Sequence, residues 1–143
     1  MAESREREGH CLCGAVRYAV KGEPKWVAHC HCETCRRAVS AAFATYAGYN
    51  RENFRITAGN LARYASSPGV SRGFCARCGS PLTYEGERWA DEVHIHVPSL
   101  ADPASLTPRG HVYVAEQLPW VHLADDLPRH AGTSSGGTSK KKS

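Results

Sequence analysis

Three of the seven cysteines lie within six positions of the chain, in the stretch CHCETC. Cys30, Cys32 and Cys35 combine a CxC and a CxxC spacing, so all three sulfurs can reach a single metal ion. Three protein ligands with one open position are typical of a catalytic zinc site, whereas a fourth protein ligand makes a structural one. The stretch therefore predicts metal chemistry, and His29 and His31 are the adjacent candidates for a fourth ligand.

The other four cysteines form two pairs, one in CLCG and one in CARCG. They are Cys11, Cys13, Cys75 and Cys78. Four thiolates at about 2.3 Å from a zinc ion lie about 3.8 Å from one another, and a CxC pair on an extended strand can meet that spacing. The CxxCG spacing favours a tight turn, in which Gly79 adopts a backbone conformation that other residues avoid. The two pairs predict a closed structural zinc site.

Three interpretations of CHCETC remain: an open zinc site, a site closed by a histidine, and a thiol cluster without metal. Along an extended backbone, His29 and His31 point away from the neighbouring sulfurs, which favours the open site. Three thiolates on a zinc dication leave a net charge of about −1, so such a site activates water poorly. A coordinated thiol is deprotonated at neutral pH, whereas a free thiol of pKa about 8.5 is mostly protonated. We therefore expect a thiol substrate that is held as a nucleophile.

The register of all seven cysteines, with CHCxxCRR, FCxxCGxxL and a late Pro-Trp pair, resembles the family of glutathione-dependent formaldehyde-activating enzymes and centromere protein V. The resemblance extends from about Gly9 to Pro128. It implies a mainly β fold, the zinc-containing β-tent of several coiled sheets, barrel- or sandwich-like, with at most one or two short helices. It also implies a structural zinc on the four-cysteine set and a catalytic zinc on the three-cysteine set.

For function, the resemblance implies a zinc-dependent carbon–sulfur lyase or synthase. In this reaction a zinc-held glutathione thiolate adds to formaldehyde, or to a related small aldehyde, and forms S-(hydroxymethyl)glutathione. Two zinc ions per chain are expected, and the three-ligand site is the one expected to be partly empty. The alternative is a zinc protein that binds glutathione or a macromolecular partner without catalysis.

Four residues near the three-cysteine stretch are candidates for contacts with substrate. His31 has a suitable pKa to protonate the new hydroxymethyl oxygen. Arg36 and Arg37 can pair with the carboxylates of glutathione, because planar guanidinium groups match carboxylate geometry. Trp26 lies four residues before the first of these cysteines, and we expect it to form a wall of the pocket.

Short segments with alternating apolar residues predict the strands that position these groups, and 13 glycines and 8 prolines separate them. The predicted strands are 15–20, 53–57, 42–47, 81–85, 93–97 and 111–115, and the only predicted helix is 33–41. In VHIHV, His94 and His96 alternate with apolar residues, so we expect them on a wet face of the strand. They are further candidates for the proton donor if they line the pocket.

The predicted domain organisation has three parts. Residues 1–8 form a flexible N-terminus, 9–130 a single zinc-binding catalytic domain, and 131–143 a disordered Gly/Ser/Lys tail. Between two prolines near the end of the domain, Trp120 and Leu123 are expected to pack onto its body.

The formal net charge of +4 depends mainly on three lysines in the tail, 140–142. Without them the chain has 15 basic and 14 acidic residues, and this near neutrality argues against a nucleic-acid partner. No apolar run reaches the roughly 18 residues of a membrane span, and the N-terminus lacks the apolar stretch of a secretory signal. We expect a cytoplasmic protein, without a membrane partner, that acts on small-molecule thiols and aldehydes. In that reducing compartment, cysteines serve as ligands or nucleophiles.

Overall fold

The structure is a computed structural model that describes residues 5–134. This part of the chain contains ten strands and one α-helix, joined by single turns of 3-10 helix. The elements are β1 (Glu6–His10), β2 (Arg17–Lys21), β3 (Trp26–Cys30), α1 (Glu33–Val39), β4 (Ala44–Asn50), β5 (Phe54–Ala58), β6 (Ala62–Ser67), β7 (Val70–Phe74), β8 (Pro81–Gly86), β9 (Glu92–His96) and β10 (His111–Val112).

The strands form two open sheets. The smaller sheet has the order β1-β2-β5, and the larger has the order β10-β3-β4-β9-β8-β7-β6. All neighbouring strands are antiparallel except β10 and β3, which are parallel. The prediction of a mainly β fold with at most one or two short helices is confirmed. No helix in residues 5–134 has the length and apolar character needed to cross a membrane.

Two hydrophobic clusters lie on opposite faces of the larger sheet around β9. Val93 and Ile95 pack into the first cluster, together with the apolar face of the smaller sheet. His94 and His96 alternate with them and contact the rings of the second cluster. Both histidines are buried, so the prediction of a wet face was wrong. The physical reason is that this antiparallel sheet is covered on both sides, whereas alternation alone suggests one solvated face.

Regular contacts extend into both segments predicted to be flexible. Residues 6–8 belong to β1, which pairs along its whole length with β2, and buried Arg7 forms an ion pair with Glu23 at 3.4 Å. At the other end, Thr133 is buried, and the Tyr113 N–H donates to the Gly132 carbonyl at 2.9 Å. The predictions of flexibility for 6–8 and of disorder for 131–134 were therefore wrong. Residues 1–4 and 135–143 of the predicted flexible ends lie outside the described range.

Three local predictions also need correction. The CxC pair that begins at Cys11 lies in a turn after β1 and not on the strand itself. The strand predicted for 111–115 ends after two residues, because Tyr113 adopts a left-handed φ of 57°. Trp120 is 67% exposed, since Val121 takes the buried position beside it, while Leu123 is half-buried.

Candidate active site and metal centres

The four-cysteine cluster joins two loops that are distant in sequence. Cys11 and Cys13 follow β1, and Cys75 and Cys78 follow β7. Their four sulfurs lie within 4.8 Å of one another, with 3.7 Å between Cys11 and Cys13 and 3.8 Å between Cys13 and Cys75. These distances match the edge of a tetrahedral four-thiolate zinc site. Gly79 has a φ of 80°, which is the left-handed turn predicted for CxxCG.

The three-cysteine cluster forms where β3 passes into α1. Cys30 ends the strand, Cys32 caps the helix, and Cys35 lies in its first turn. The Cys35 N–H donates to the Cys32 sulfur at 3.4 Å, so the cap itself places these two sulfurs side by side. All three sulfurs lie within 4.8 Å of one another, and all three residues are buried. Donor type and spacing fit one thiolate-bound zinc ion with three protein ligands.

Buried hydrogen-bond donors surround the sulfur of Cys35. The Tyr46 hydroxyl donates to it at 3.3 Å, and both terminal nitrogens of Arg72 lie 3.9 Å from it. Arg72 is only 8% exposed, and its guanidinium also lies over the ring of Tyr84, 5.0 Å from the centroid. Three thiolates on a zinc dication would carry about −1, so the guanidinium offsets that charge within the protein interior.

The thiols of this cluster also polarise one another. Hydrogen bonds from Cys30 and Cys35 lower the pKa of Cys32. Hydrogen bonds with Cys32 and then Cys35 raise the pKa of Cys30, and burial adds to this effect. The cluster is therefore arranged to carry negative charge on at least one sulfur at neutral pH.

A cavity of about 400 Å³ opens onto the three-cysteine cluster. All three of its cysteines line the cavity, whereas none of the four-cysteine cluster does. The aromatic lining residues are Trp26, Tyr46, Tyr84, Trp89 and Tyr113. The polar and charged lining residues are Lys25, Glu92, His94, Arg109, His130, Thr133 and Ser134. Trp26, predicted to form a wall of the pocket, lines this cavity.

One glycine explains how Trp26 reaches across the sheet. Trp26 on β3 pairs with Gly48 on β4, and Gly48 pairs in turn with His94 on β9. A Cβ atom on Gly48 would lie 2.4 Å from the indole, so only glycine leaves room for that ring. The indole then meets the His94 ring edge-on, with 4.6 Å between centroids.

Glu92 is the acceptor for three side chains at this wall. Its Oε1 accepts from His94 Nε2 at 2.8 Å and from Trp26 Nε1 at 3.4 Å, and its Oε2 accepts from Lys25 Nζ at 2.8 Å. These bonds, the one from His94 first and the one from Lys25 after it, lower the pKa of Glu92 to about 2 despite burial. The cavity therefore has a fixed carboxylate beside a histidine.

The structure does not bring His31 to this cavity. His31 is fully buried, and its Nε2 lies 3.0 Å from Nδ1 of His111, whose Nε2 lies 3.0 Å from Asp125. Burial, and then the neighbouring His111, lower the pKa of His31 to about 4. Because His31 is the next residue after Cys30 on an extended backbone, its side chain points to the side opposite that of Cys30.

The two predicted arginines are also directed elsewhere. Arg36 donates to the carbonyls of His31 and Glu116, both at 3.1 Å, and so ties α1 to the C-terminal segment. Arg37 is exposed and pairs with Glu33 at 2.9 Å. Neither lines the cavity. The basic residues that do line it, Lys25 and Arg109, have no distinctive motif around them, and sequence reasoning missed them.

Sequence reasoning also missed Glu92, Tyr46 and Arg72. A usable signal was present for Glu92, because it shares a strand face with His94, two residues later. His96 shares that face as well but does not line the cavity, and burial, followed by the charge of Arg72, lowers its pKa to about 3.

Comparison with known proteins places this arrangement in a family. The family described as glutathione-dependent formaldehyde-activating enzyme matches residues 6–116. A Schizosaccharomyces pombe protein named as an uncharacterized lyase is 39% identical over 80 residues, which is 55% of this chain and 57% of that protein. A Halomonas elongata protein, named "Putative glutathione-dependent formaldehyde-activating enzyme", is 29% identical over 127 residues, covering 81% of this chain and 80% of that one.

A solved structure shows the same fold. The crystal structure of a Rhodobacter sphaeroides protein superposes with a TM-score of 0.56 at 23% identity, and the match covers 85% of this chain and 98% of that one. All seven cysteines of the two clusters lie within the matched residues 6–116. The chain belongs to the glutathione-dependent formaldehyde-activating enzyme family.

Proposed function

We propose that this protein is a zinc-dependent carbon–sulfur lyase or synthase that adds glutathione to formaldehyde or to a related small aldehyde. The observation that carries the proposal is the position of Cys30, Cys32 and Cys35, whose three side chains line a cavity of about 400 Å³. That volume lies within the range of small-molecule sites, about 300–1,000 Å³. Membership of the family supports the thiol and aldehyde substrates, and the name of the yeast relative supports the lyase class.

The donor set of the cavity determines what a bound metal contributes. A zinc ion on these three thiolates would supply the positive charge that keeps an incoming thiol deprotonated. Arg72 and Tyr46 stabilise negative charge at Cys35 from the protein side. The aromatic walls exclude water from the thiolate and strengthen the electrostatic contacts made there.

The ends of a glutathione molecule find charged partners at the same cavity. Lys25 and Arg109 line it, and the side chain of Lys25 is half-exposed beside Glu92. These two cations take the place of Arg36 and Arg37 as the groups that would meet the two carboxylates of glutathione.

Exchange spectroscopy by NMR tests the proposal directly. With the zinc-loaded protein, exchange between free formaldehyde and S-(hydroxymethyl)glutathione should be faster than in buffer alone and should saturate with glutathione. The uncatalysed addition in the same buffer is the control. Saturable glutathione binding with an unchanged exchange rate would instead identify a carrier that binds the thiol without catalysis.

A further inference from the structure

Addition of a thiol to an aldehyde moves one proton from sulfur to oxygen, so the cavity needs a group that can carry it. We propose that His94 is the acid–base residue that carries this proton, and that Glu92 orients it. This inference rests on the proposed function. It assigns the proton transfer to a residue outside both cysteine clusters.

The ring of His94 is held in one orientation. It stacks on Tyr84, with 5.5 Å between centroids and 18° between planes, and it meets the edge of Trp26 at 4.6 Å. Its Nε2 lies 2.8 Å from Oε1 of Glu92. His94 is 4% exposed and lines the cavity, so the solvent it meets is the content of that cavity.

The carboxylate selects the tautomer of this histidine. An ionised carboxylate accepts hydrogen bonds and donates none, so Nε2 of His94 carries a proton in its bond to Glu92. Lys25, at 2.8 Å, and the low pKa of Glu92, about 2, keep that carboxylate ionised. In the neutral ring, Nδ1 therefore carries the lone pair and can accept a proton from a ligand.

The proton balance closes without another reactant. The substrate thiol gives its proton to Nδ1 of His94, and the carboxylate of Glu92 stabilises the resulting imidazolium. The thiolate forms the sulfur–carbon bond while the carbonyl electron pair moves to oxygen. That oxygen takes the proton back from Nδ1, which gives the S-hydroxymethyl product and restores the neutral ring. The lyase direction runs through the same transfers in reverse.

Tyr46 connects His94 to the three-cysteine cluster. Its ring is 6.4 Å from that of Tyr46, whose hydroxyl donates to the Cys35 sulfur at 3.3 Å. Of the two histidines in residues 5–134 that line the cavity, His94 and His130, only His94 has a carboxylate within hydrogen-bond distance.

The first test replaces His94 by glutamine, which can still donate to Glu92 but cannot carry the proton. We expect His94→Gln to keep its zinc content and glutathione affinity while the exchange rate falls by about 10²–10⁴-fold. His96→Gln is the matched control, because His96 lies on the same strand face but outside the cavity, and about the wild-type rate is expected. Exchange at the wild-type rate in His94→Gln would overturn the inference.

The second test follows the orienting role of Glu92 through the pH profile. Removing its negative charge disfavours the imidazolium, so Glu92→Gln should move the midpoint of the exchange-rate profile to lower pH. Glu92→Asp keeps the negative charge, so the midpoint of its profile should lie close to that of the wild type. Glu85→Gln is the control, since Glu85 binds two arginines outside the cavity. An unmoved midpoint in Glu92→Gln would contradict the orienting role.

The groups that face the His94 ring or its partner are Glu92, Lys25, Trp26, Tyr46, Tyr84, Trp89 and, through Tyr84, Arg72.

A spectroscopic readout is independent of turnover. Long-range ¹H–¹⁵N NMR should show His94 of the resting protein protonated at Nε2 and unprotonated at Nδ1. The opposite tautomer would overturn the inference even if the enzyme is active.

If the wild-type protein itself fails to accelerate exchange, the proposed function fails and this inference with it. If the wild-type protein accelerates exchange and His94→Gln retains that acceleration, only the inference about His94 fails.

Discussion

The two cysteine clusters use the same chemical donors in opposite surroundings. In the four-cysteine cluster Cys13 is exposed and Cys78 half-buried, and none of its cysteines lines the cavity beside the other cluster. In the three-cysteine cluster every sulfur-bearing residue is buried, yet all of them line a cavity. Exposure to bulk solvent is therefore not what separates the two clusters. They differ in the number of cysteines and in access to the cavity.

The hydrogen-bond donors around the two clusters also differ. Around the four-cysteine cluster, backbone N–H groups serve as donors, such as those of Arg77 and Cys78 to the Cys75 sulfur at 3.3 and 3.4 Å. Around the three-cysteine cluster, Tyr46 and a buried Arg72 contribute side-chain donors and a full positive charge. Backbone donors follow from the turn, whereas a buried guanidinium must be supplied by a separate strand.

The largest effect that the comparison predicts concerns folding. Cys78→Ser removes a ligand of the zinc site that we propose between two distant loops, and it should fail to fold stably, because a structural zinc contributes its binding energy, on the order of 10 kcal/mol, to the folded state. Cys32→Ser should lose about one zinc ion per chain and remain folded. Elemental analysis and thermal unfolding check both variants. Equal destabilisation by the two substitutions would contradict the division into structural and reactive clusters.

The next effect concerns metal affinity at the three-cysteine cluster. Arg72→Met removes the positive charge beside Cys35 but keeps much of the side-chain volume, and we expect zinc affinity there to fall by about 10–100-fold. Competition with a chromophoric chelator measures this. The exposed Arg63, which pairs with Glu85 at 2.6 Å, provides the control variant Arg63→Met with unchanged affinity. Unchanged affinity in Arg72→Met would show that the guanidinium does not stabilise the thiolates.

The dependence of stability on pH gives a smaller effect. The pKa of Glu92 falls from 4.5 in the unfolded chain to about 2 in the folded protein, so its contribution is complete above about pH 4.5 and is lost as the pH falls towards 2. We expect wild type to lose about 2 kcal/mol more than Glu92→Gln across this window. Urea unfolding at several pH values measures the difference, in which the acid loss of metal common to both proteins cancels. Parallel curves would contradict the expectation.

The smallest effect lies at the end of α1, the helix that carries Cys35. Ser40 follows the helix with a left-handed φ of 53°, and its N–H donates to the Arg36 carbonyl. Glycine adopts this conformation without the Cβ penalty, so Ser40→Gly should stabilise the protein by about 0.5–1 kcal/mol. Denaturant unfolding measures the change. Ser40→Ala is the control, for which no stabilisation is expected, and a loss of stability in Ser40→Gly would contradict this explanation.

Much of the fold follows from local patterns, and the exceptions are instructive. The alternation in β2, β5, β8 and β9 predicts these strands, because each has apolar residues two apart on a covered face. The strands β1, β3, β6 and β7 were not predicted. In β1 and β7 the buried positions include Arg7 and Arg72, whose side-chain hydrogen bonds make burial possible. A pattern of apolar residues cannot detect a strand whose buried side chains are charged.

The sequence by itself determined which neighbouring sulfurs lie close together, namely those of the three-cysteine cluster and of each pair in the four-cysteine cluster, because CxC and CxxC spacings limit where such sulfurs can lie. Only the tertiary structure decided what faces the three-cysteine cluster. Arg36 is next to Cys35 in the chain but is directed to backbone carbonyls, whereas Arg72, 37 positions later, contacts its sulfur. The reason is physical: spacing along a backbone sets local reach, but the partner of a strand face depends on which distant strands and segments cover it. Around His94, the covering segments form the cavity that the three-cysteine cluster also lines. The alternation of residues in its strand had predicted solvent on that face.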